Sequence, residues 1–93
     1  MNVLVIGSGG REHAIVEALS RSPKAPKIYA APGNAGIAQL AECVAIKDTE
    51  VQKLLEFAKA NNVELTVVGP EASLAAGVVD AFRAEGLKIF GPT

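Results

Sequence analysis

Short apolar runs alternate with longer stretches of helical spacing along this chain. Val3-Leu4-Val5-Ile6 is continuous and mostly β-branched, as a strand buried on both faces requires. From Arg11 to about Arg21 the pattern turns helical, with Ile15, Ala18 and Leu19 on one face, and Ser22-Pro23 stops it. Lys27 to Ala31 (KIYAA) is a second strand. Pro32 to Gly36 is a loop with at most one helical turn after it, and Cys43 to Ile46 is a short third strand. Thr49 and Gln52 match a capping box, and Val51, Leu54, Leu55 and Ala58 follow at i, i+3, i+4 and i+7 until Asn61-Asn62. Leu65 to Val68 is a fourth strand. The spacing of Leu74, Val78 and Phe82 predicts a third helix over 73–85, closed by Gly86 as its C′ residue. Gly77 weakens that helix, so either something packs closely there or the helix begins in two pieces. Leu87 to Phe90 is the fifth strand.

This alternation specifies an α/β domain with a parallel sheet and helices on both faces. Right-handed crossovers leave 3-2-1-4-5 as the most economical strand order, a Rossmann-like sheet whose order reverses between strands 1 and 4. Residues 1–93 form a single domain, with no repeat, low-complexity segment or linker.

Ligands of such sheets bind beyond the carboxyl ends of the strands, at the reversal. Three unusual loops fall there: Gly7 to Glu12 after strand 1, Pro32 to Gly36 after strand 2, and Gly69-Pro70-Glu71 after strand 4. Gly7, Gly9 and Gly10 allow a tight turn and close backbone approach, and the helix that follows directs its free N–H groups and positive dipole end at the crevice. That is an anion site suited to phosphate, to which Arg11 can add a bidentate contact. The bland alternative is a tight strand-to-helix turn. Two features count against a dinucleotide. Glu12 stands where the third glycine is due, and Ala31-Pro32 occupies the place of the acid that would hold a ribose diol. Glu71 either contacts sugar hydroxyls or a ligand amine, or is a helix N-terminal acid favoured by the dipole. Asn34 either reaches the ligand or makes an Asx-turn. His13 is a structural neighbour of the site more than a ligand contact, Glu12 bonds a nearby backbone N–H, and Asp80 and Arg83 form a solvated face.

Composition narrows the field. The net charge is −1 and aromatics make up 4%, so no basic or stacking surface for nucleic acid is present. No apolar run is long enough to span a bilayer, and no signal peptide opens the chain. The lone Cys43, beside Val44, Ala45 and Ile46, is expected to be a buried structural thiol in a reducing cytoplasm. One His and one Cys far apart offer no metal-site spacing.

Gly7-Ser8-Gly9-Gly10-Arg11-Glu12-His13-Ala14 resembles the opening signature of the phosphoribosylamine–glycine ligases (glycinamide ribonucleotide synthetases). Ala31-Pro32-Gly33-Asn34-Ala35-Gly36 is similar to their second motif, Gly69-Pro70-Glu71 with Leu74, Gly77 and Asp80 to the third, and Phe90-Gly91-Pro92 to the fourth. The motifs run end to end in order. Ser73 and Ile37 depart from the proline and threonine often found in the family. So does length, since the resemblance covers only the N-terminal, pre-ATP-grasp domain. The chain is therefore expected to be an excised N-terminal domain without the ATP-grasp and C-terminal domains.

The resemblance implies a parent enzyme of purine biosynthesis. It would join glycine to 5-phosphoribosylamine through an acyl phosphate, giving glycinamide ribonucleotide, ADP and phosphate. ATP and Mg²⁺ would be bound by the missing domains, and this chain would hold no cofactor or metal. It would supply the phosphoribosylamine side of the cleft from Gly7, Gly9, Gly10, Arg11, Pro32, Gly33, Asn34, Gly69, Pro70 and Glu71, with no catalytic residue of its own. Its expected partners are that substrate or product and the ATP-grasp domain of the same chain. A stand-alone nucleotide-binding module and a purely structural interaction domain are the competing readings. A phosphoacceptor domain is disfavoured, because no acid follows strand 1.

Overall fold

The computed structural model describes residues 1–23, 27–69 and 76–91. Five strands, β1 (Asn2–Gly7), β2 (Lys27–Pro32), β3 (Glu42–Cys43), β4 (Leu65–Val68) and β5 (Ile89–Phe90), form one sheet in the order β3-β2-β1-β4-β5. All four pairings are parallel. The expected order and its reversal beside β1 are therefore present. Helices α1 (Gly10–Ser20), α2 (Val51–Ala60) and α3 (Val78–Ala84), with a single 3₁₀ turn at Ile37–Gln39, make the connections. No helix among the described residues is long and apolar enough to cross a membrane.

The central strand divides the core. Val3 and Val5 face one side, where Val16 of α1, Ile28, Ala30 and Ile37 pack around them. Leu4 and Ile6 face the other, against Leu54, Leu55 and Ala58 of α2 and Val78 and Phe82 of α3. The α2 face is the one its periodicity specifies. Tyr29 meets Phe57 edge-on at 5.0 Å between ring centroids, extending that core toward β2.

Helix ends depart from expectation at α2 and conform at α3. Residue 50, not Thr49, is the N-cap of α2, and no side chain caps it. Glu50 instead accepts from the Lys47 backbone N–H at 2.9 Å, so Thr49 and Gln52 form no capping box. At the other end of α2, Val63 N–H reaches Ala58 O at 2.9 Å, and Asn62 takes a positive φ of 53°. Gly86 closes α3 as foreseen, with φ +74°. Its N–H donates to Arg83 O and that of Leu87 to Phe82 O, each at 3.0 Å, in a Schellman arrangement.

Further expectations are corrected. The predicted helix over 73–85 begins, within the described residues, only after Gly77, whose φ of +87° is incompatible with a helical residue. A methyl at Gly77 would meet no atom of the described residues within 4 Å, and the alternative of a helix begun in two pieces concerns residues 73–75, which lie outside the described residues. The third strand is Glu42–Cys43 rather than Cys43–Ile46, because pairing with β2 stops at Ala30 and Val44 and Ile46 turn inward onto the α2 side of the core. Cys43 is consequently exposed on the edge strand and not buried. On α1 the inward positions are Glu12, Ile15, Val16 and Leu19, with Ala18 exposed.

Candidate functional site

Register brings the loops together. Gly7 lies opposite Pro32 and Ile6 opposite Val68, so β2, β1 and β4 end side by side. Gly33 N–H donates to Gly7 O at 3.0 Å, and Gly69 N–H to Ile6 O at 3.3 Å. Gly7, Gly9, Gly10, Arg11, Pro32, Gly33, Asn34 and Gly69 thus share one rim. Pro70 and Glu71, the remaining predicted site residues, lie outside the described residues, as does Leu74.

Each residue takes a distinct place on that rim. Gly9 is the N-cap of α1, in an extended conformation. Its carbonyl accepts the first helical bond, from His13 N–H at 3.0 Å, and its own N–H donates to Glu12 Oε1 at 3.1 Å. The N–H groups of Gly10 and Arg11 have no acceptor within the helix, and both residues are exposed. A methyl on Gly10 would meet no atom of the described residues within 4 Å, so none of them demands glycine there. Arg11 makes no ion pair among the described residues, which leaves its guanidinium free for an anion.

Asn34 serves the protein with both ends of its amide. Its Nδ2 donates to Ser8 O at 2.7 Å, and its Oδ1 accepts from Ile37 N–H at 2.9 Å. The Oδ1 bond reaches three residues on, one beyond an Asx-turn, and the Nδ2 bond holds the second loop against the first. His13 rests on Gly36, where a methyl would stand 2.8 Å from its Cε1. The Cys43 thiol lies over Gly33 and donates to Asn34 O at 3.7 Å. His13 is therefore a packing residue of the site, as expected. The contact of Cys43 with the second loop is one that periodicity had no means of revealing.

A hollow of about 210 Å³ continues the rim on the α1 side, lined by Arg11, Ile15, Val67, Val68, Gly69, Phe90 and Gly91. Its apolar wall was not foreseen. Val67 pairs with Phe90, and that register puts both on the face that α1 covers only in part. Phe90 is 65% exposed. No group of three or more His, Cys, Asp or Glu able to hold a metal ion occurs among the described residues.

The doubly wound sheet, with a glycine turn, an open helix N-terminus and three strand-end loops at its reversal, defines a Rossmann-like α/β domain with one crevice at the switch point. The chain belongs to the family described as phosphoribosylglycinamide synthetase, N domain, whose model matches residues 1–93. Among curated relatives it is 61% identical to the phosphoribosylamine–glycine ligases of Caldanaerobacter subterraneus subsp. tengcongensis and Pasteurella multocida, and 58% identical to that of Pseudomonas aeruginosa. The whole chain is covered in each case, yet it spans only 22% of each relative's length. A solved structure described as glycinamide-RNase-transformylase T from Mycobacterium tuberculosis superposes with a TM-score of 0.73 at 20% identity, covering 96% of this chain and 26% of that one. At that identity the likeness concerns the fold alone.

Proposed function

We propose that this domain is the phosphoribosylamine-binding part of an ATP-dependent ligase of purine biosynthesis, acting in the cytoplasm. The observation that carries the reading is the meeting of the Gly7–Arg11 turn, the Pro32–Asn34 turn and Gly69 on one rim in a chain of this family. Gly10 and Arg11 offer the ligand phosphate two backbone N–H groups, the positive end of α1 and a guanidinium that makes no ion pair among the described residues. Gly9 contributes its lack of a side chain, since Glu12 already takes its N–H. Asn34 and Gly33 support that turn from the side, and Glu71 would hold the ribose or orient the amine.

In the parent enzyme the glycine carboxylate would be activated as an acyl phosphate, with ATP supplying the phosphoryl group and Mg²⁺ the charge compensation. The ribosylamine nitrogen attacks that acyl carbon, giving glycinamide ribonucleotide, ADP and phosphate. The nucleotide and metal would be held by parts of that enzyme outside the 22% of the relatives' length that this chain spans. What its own residues do is fix the phosphosugar so that the amine is presented in one orientation, a large part of the advantage in joining two substrates. The isolated chain is accordingly inactive as a ligase.

The test is an NMR amide titration of the chain with ribose 5-phosphate, a stable surrogate for the labile amine, with NADH in parallel. Saturable shifts at Gly9, Gly10 and Arg11 are expected, in the millimolar range of about −4 kcal/mol. Silence with ribose 5-phosphate and a saturable NADH response would replace this reading with a nucleotide-binding module.

A further inference from the structure

Glu12 is 6% exposed, although it stands on the first turn of a helix whose neighbouring residues Gly10 and Arg11 are open to solvent. Its side chain enters the crevice between the ends of β1 and β4. Oε1 accepts from Gly9 N–H at 3.1 Å. A methyl on Gly69 would stand 2.5 Å from Oε2 and 2.8 Å from Cδ, and a methyl on Gly7 would stand 2.5 Å from Cγ. The glycines that end the two central strands thus form a slot with the dimensions of this one side chain. Burying a carboxyl with few partners is costly, so the slot and the Gly9 bond together must hold it there.

We propose that Glu12 is a positioning residue of the ligand site. Seated between Gly7 and Gly69, it holds the Ser8–Arg11 turn and the start of the loop after β4 in one fixed relation. That relation presents Gly10 and Arg11 to the phosphosugar. The proposal rests on the ligand reading above. It also accounts for the departure from the dinucleotide pattern. Where a third glycine would let helix and strand approach, Glu12 fills the gap, and it occupies the second glycine's N–H, which would otherwise face a pyrophosphate.

A role confined to filling volume would be met by Glu12→Met, whereas positioning requires an acceptor for Gly9 N–H, which Glu12→Gln keeps. Gly69→Ala attacks the same contact from the other side. The methyl displaces only the tip of a flexible side chain, so the fold survives while the Gly9 bond is lost.

The experiment records amide spectra, thermal melts and ribose 5-phosphate titrations for the wild type and the variants Glu12→Gln, Glu12→Met, Glu12→Ala, Gly69→Ala and Glu12→Ala/Gly69→Ala. Glu12→Gln should keep the Gly9 amide resonance and bind within about threefold of wild type. Glu12→Met, Glu12→Ala and Gly69→Ala should each move the Gly9 amide and weaken binding by about tenfold or more, with cooperative melts. The double variant should bind no worse than Glu12→Ala alone, since the added methyl then has nothing to displace. A Gly69→Ala variant with a wild-type Gly9 resonance, additive losses, or wild-type binding by Glu12→Met would overturn the proposal. If Glu12→Ala does not fold, Glu12→Gln, Glu12→Met and Gly69→Ala decide it. If the wild type ignores ribose 5-phosphate, the ligand reading fails, while the Gly9 resonances still decide whether Glu12 holds the turn.

Discussion

Asn34 and Ser8 are far apart in sequence, yet Asn34 Nδ2 donates to Ser8 O at 2.7 Å. With Oδ1 accepting from Ile37 N–H, one amide closes its own turn and ties that turn to the glycine loop. Asn34→Asp keeps the acceptor and removes the donor, so it separates the two roles. Asn34→Ala should cost about 1–2 kcal/mol in urea unfolding, and Asn34→Asp should retain the part owed to the Ile37 N–H bond. Equal stability of both variants and wild type would mean that the two bonds contribute nothing.

Gly10 and Gly86 make opposite predictions. Gly86 holds φ +74° at the end of α3, so Gly86→Ala should lower stability by about 1 kcal/mol, read from the melting temperature. Gly10 has open space around it, so Gly10→Ala should shift stability by less than about 1 kcal/mol in either direction. Its ribose 5-phosphate affinity should nevertheless fall, because the added methyl stands where the phosphate would approach.

Two phenylalanines test the reading of the core. Phe82 is fully buried between α3 and the sheet, and Phe90 is mostly exposed beside the hollow. Phe82→Ala should cost about 3–5 kcal/mol, a large share of a domain's ordinary stability. Phe90→Ala should change stability by about 0.5 kcal/mol or less. Circular dichroism melts of the two variants distinguish these outcomes directly.

Glu85, the C-cap residue of α3, accepts from Lys59 Nζ on α2 at 2.6 Å. That hydrogen bond, and then the lysine's charge, hold the Glu85 carboxyl below its ordinary value of 4.5. A lowered native pKa means the contribution is fully present above the unfolded value and is lost as pH falls through the lower native one. Both groups are exposed, so the effect on stability is small and weakens with salt. A carboxyl-carbon titration should place the Glu85 midpoint below 4.5 in the wild type and return it toward 4.5 in Lys59→Gln.

Much of the fold was legible because a few elements obey one rule strongly. Val3 to Ile6 are apolar throughout, and β1 is the central strand of the five, with side chains buried in the core on both faces. Leu54, Leu55 and Ala58 repeat at helical spacing, and all three are buried in α2. The reversal between β1 and β4 followed from connection handedness, and with it the meeting of the strand-end loops. Simple patterns failed where a competing contact, local at Glu50 and long-range at Cys43, outweighed them. Thr49 and Gln52 carry a capping pattern, but Glu50 is held by Lys47 N–H and the helix starts from there. Cys43 sits in an apolar run, but its strand lies at the sheet edge with two paired residues, and the thiol is exposed.

The sequence by itself determined the alternation of strands and helices, the order of the sheet and the rim on which its glycine loops meet. Periodicity, turn residues and chain handedness are local or topological properties, so one chain of letters carries them. Tertiary structure decided what each glycine is for. Gly7, Gly33, Gly36 and Gly69 make room for Glu12, Cys43 and His13, while Gly10 faces open space. A missing Cβ leaves the same mark in a sequence whether the space beside it belongs to a neighbouring side chain or to a ligand. Only the packing of distant segments tells these apart.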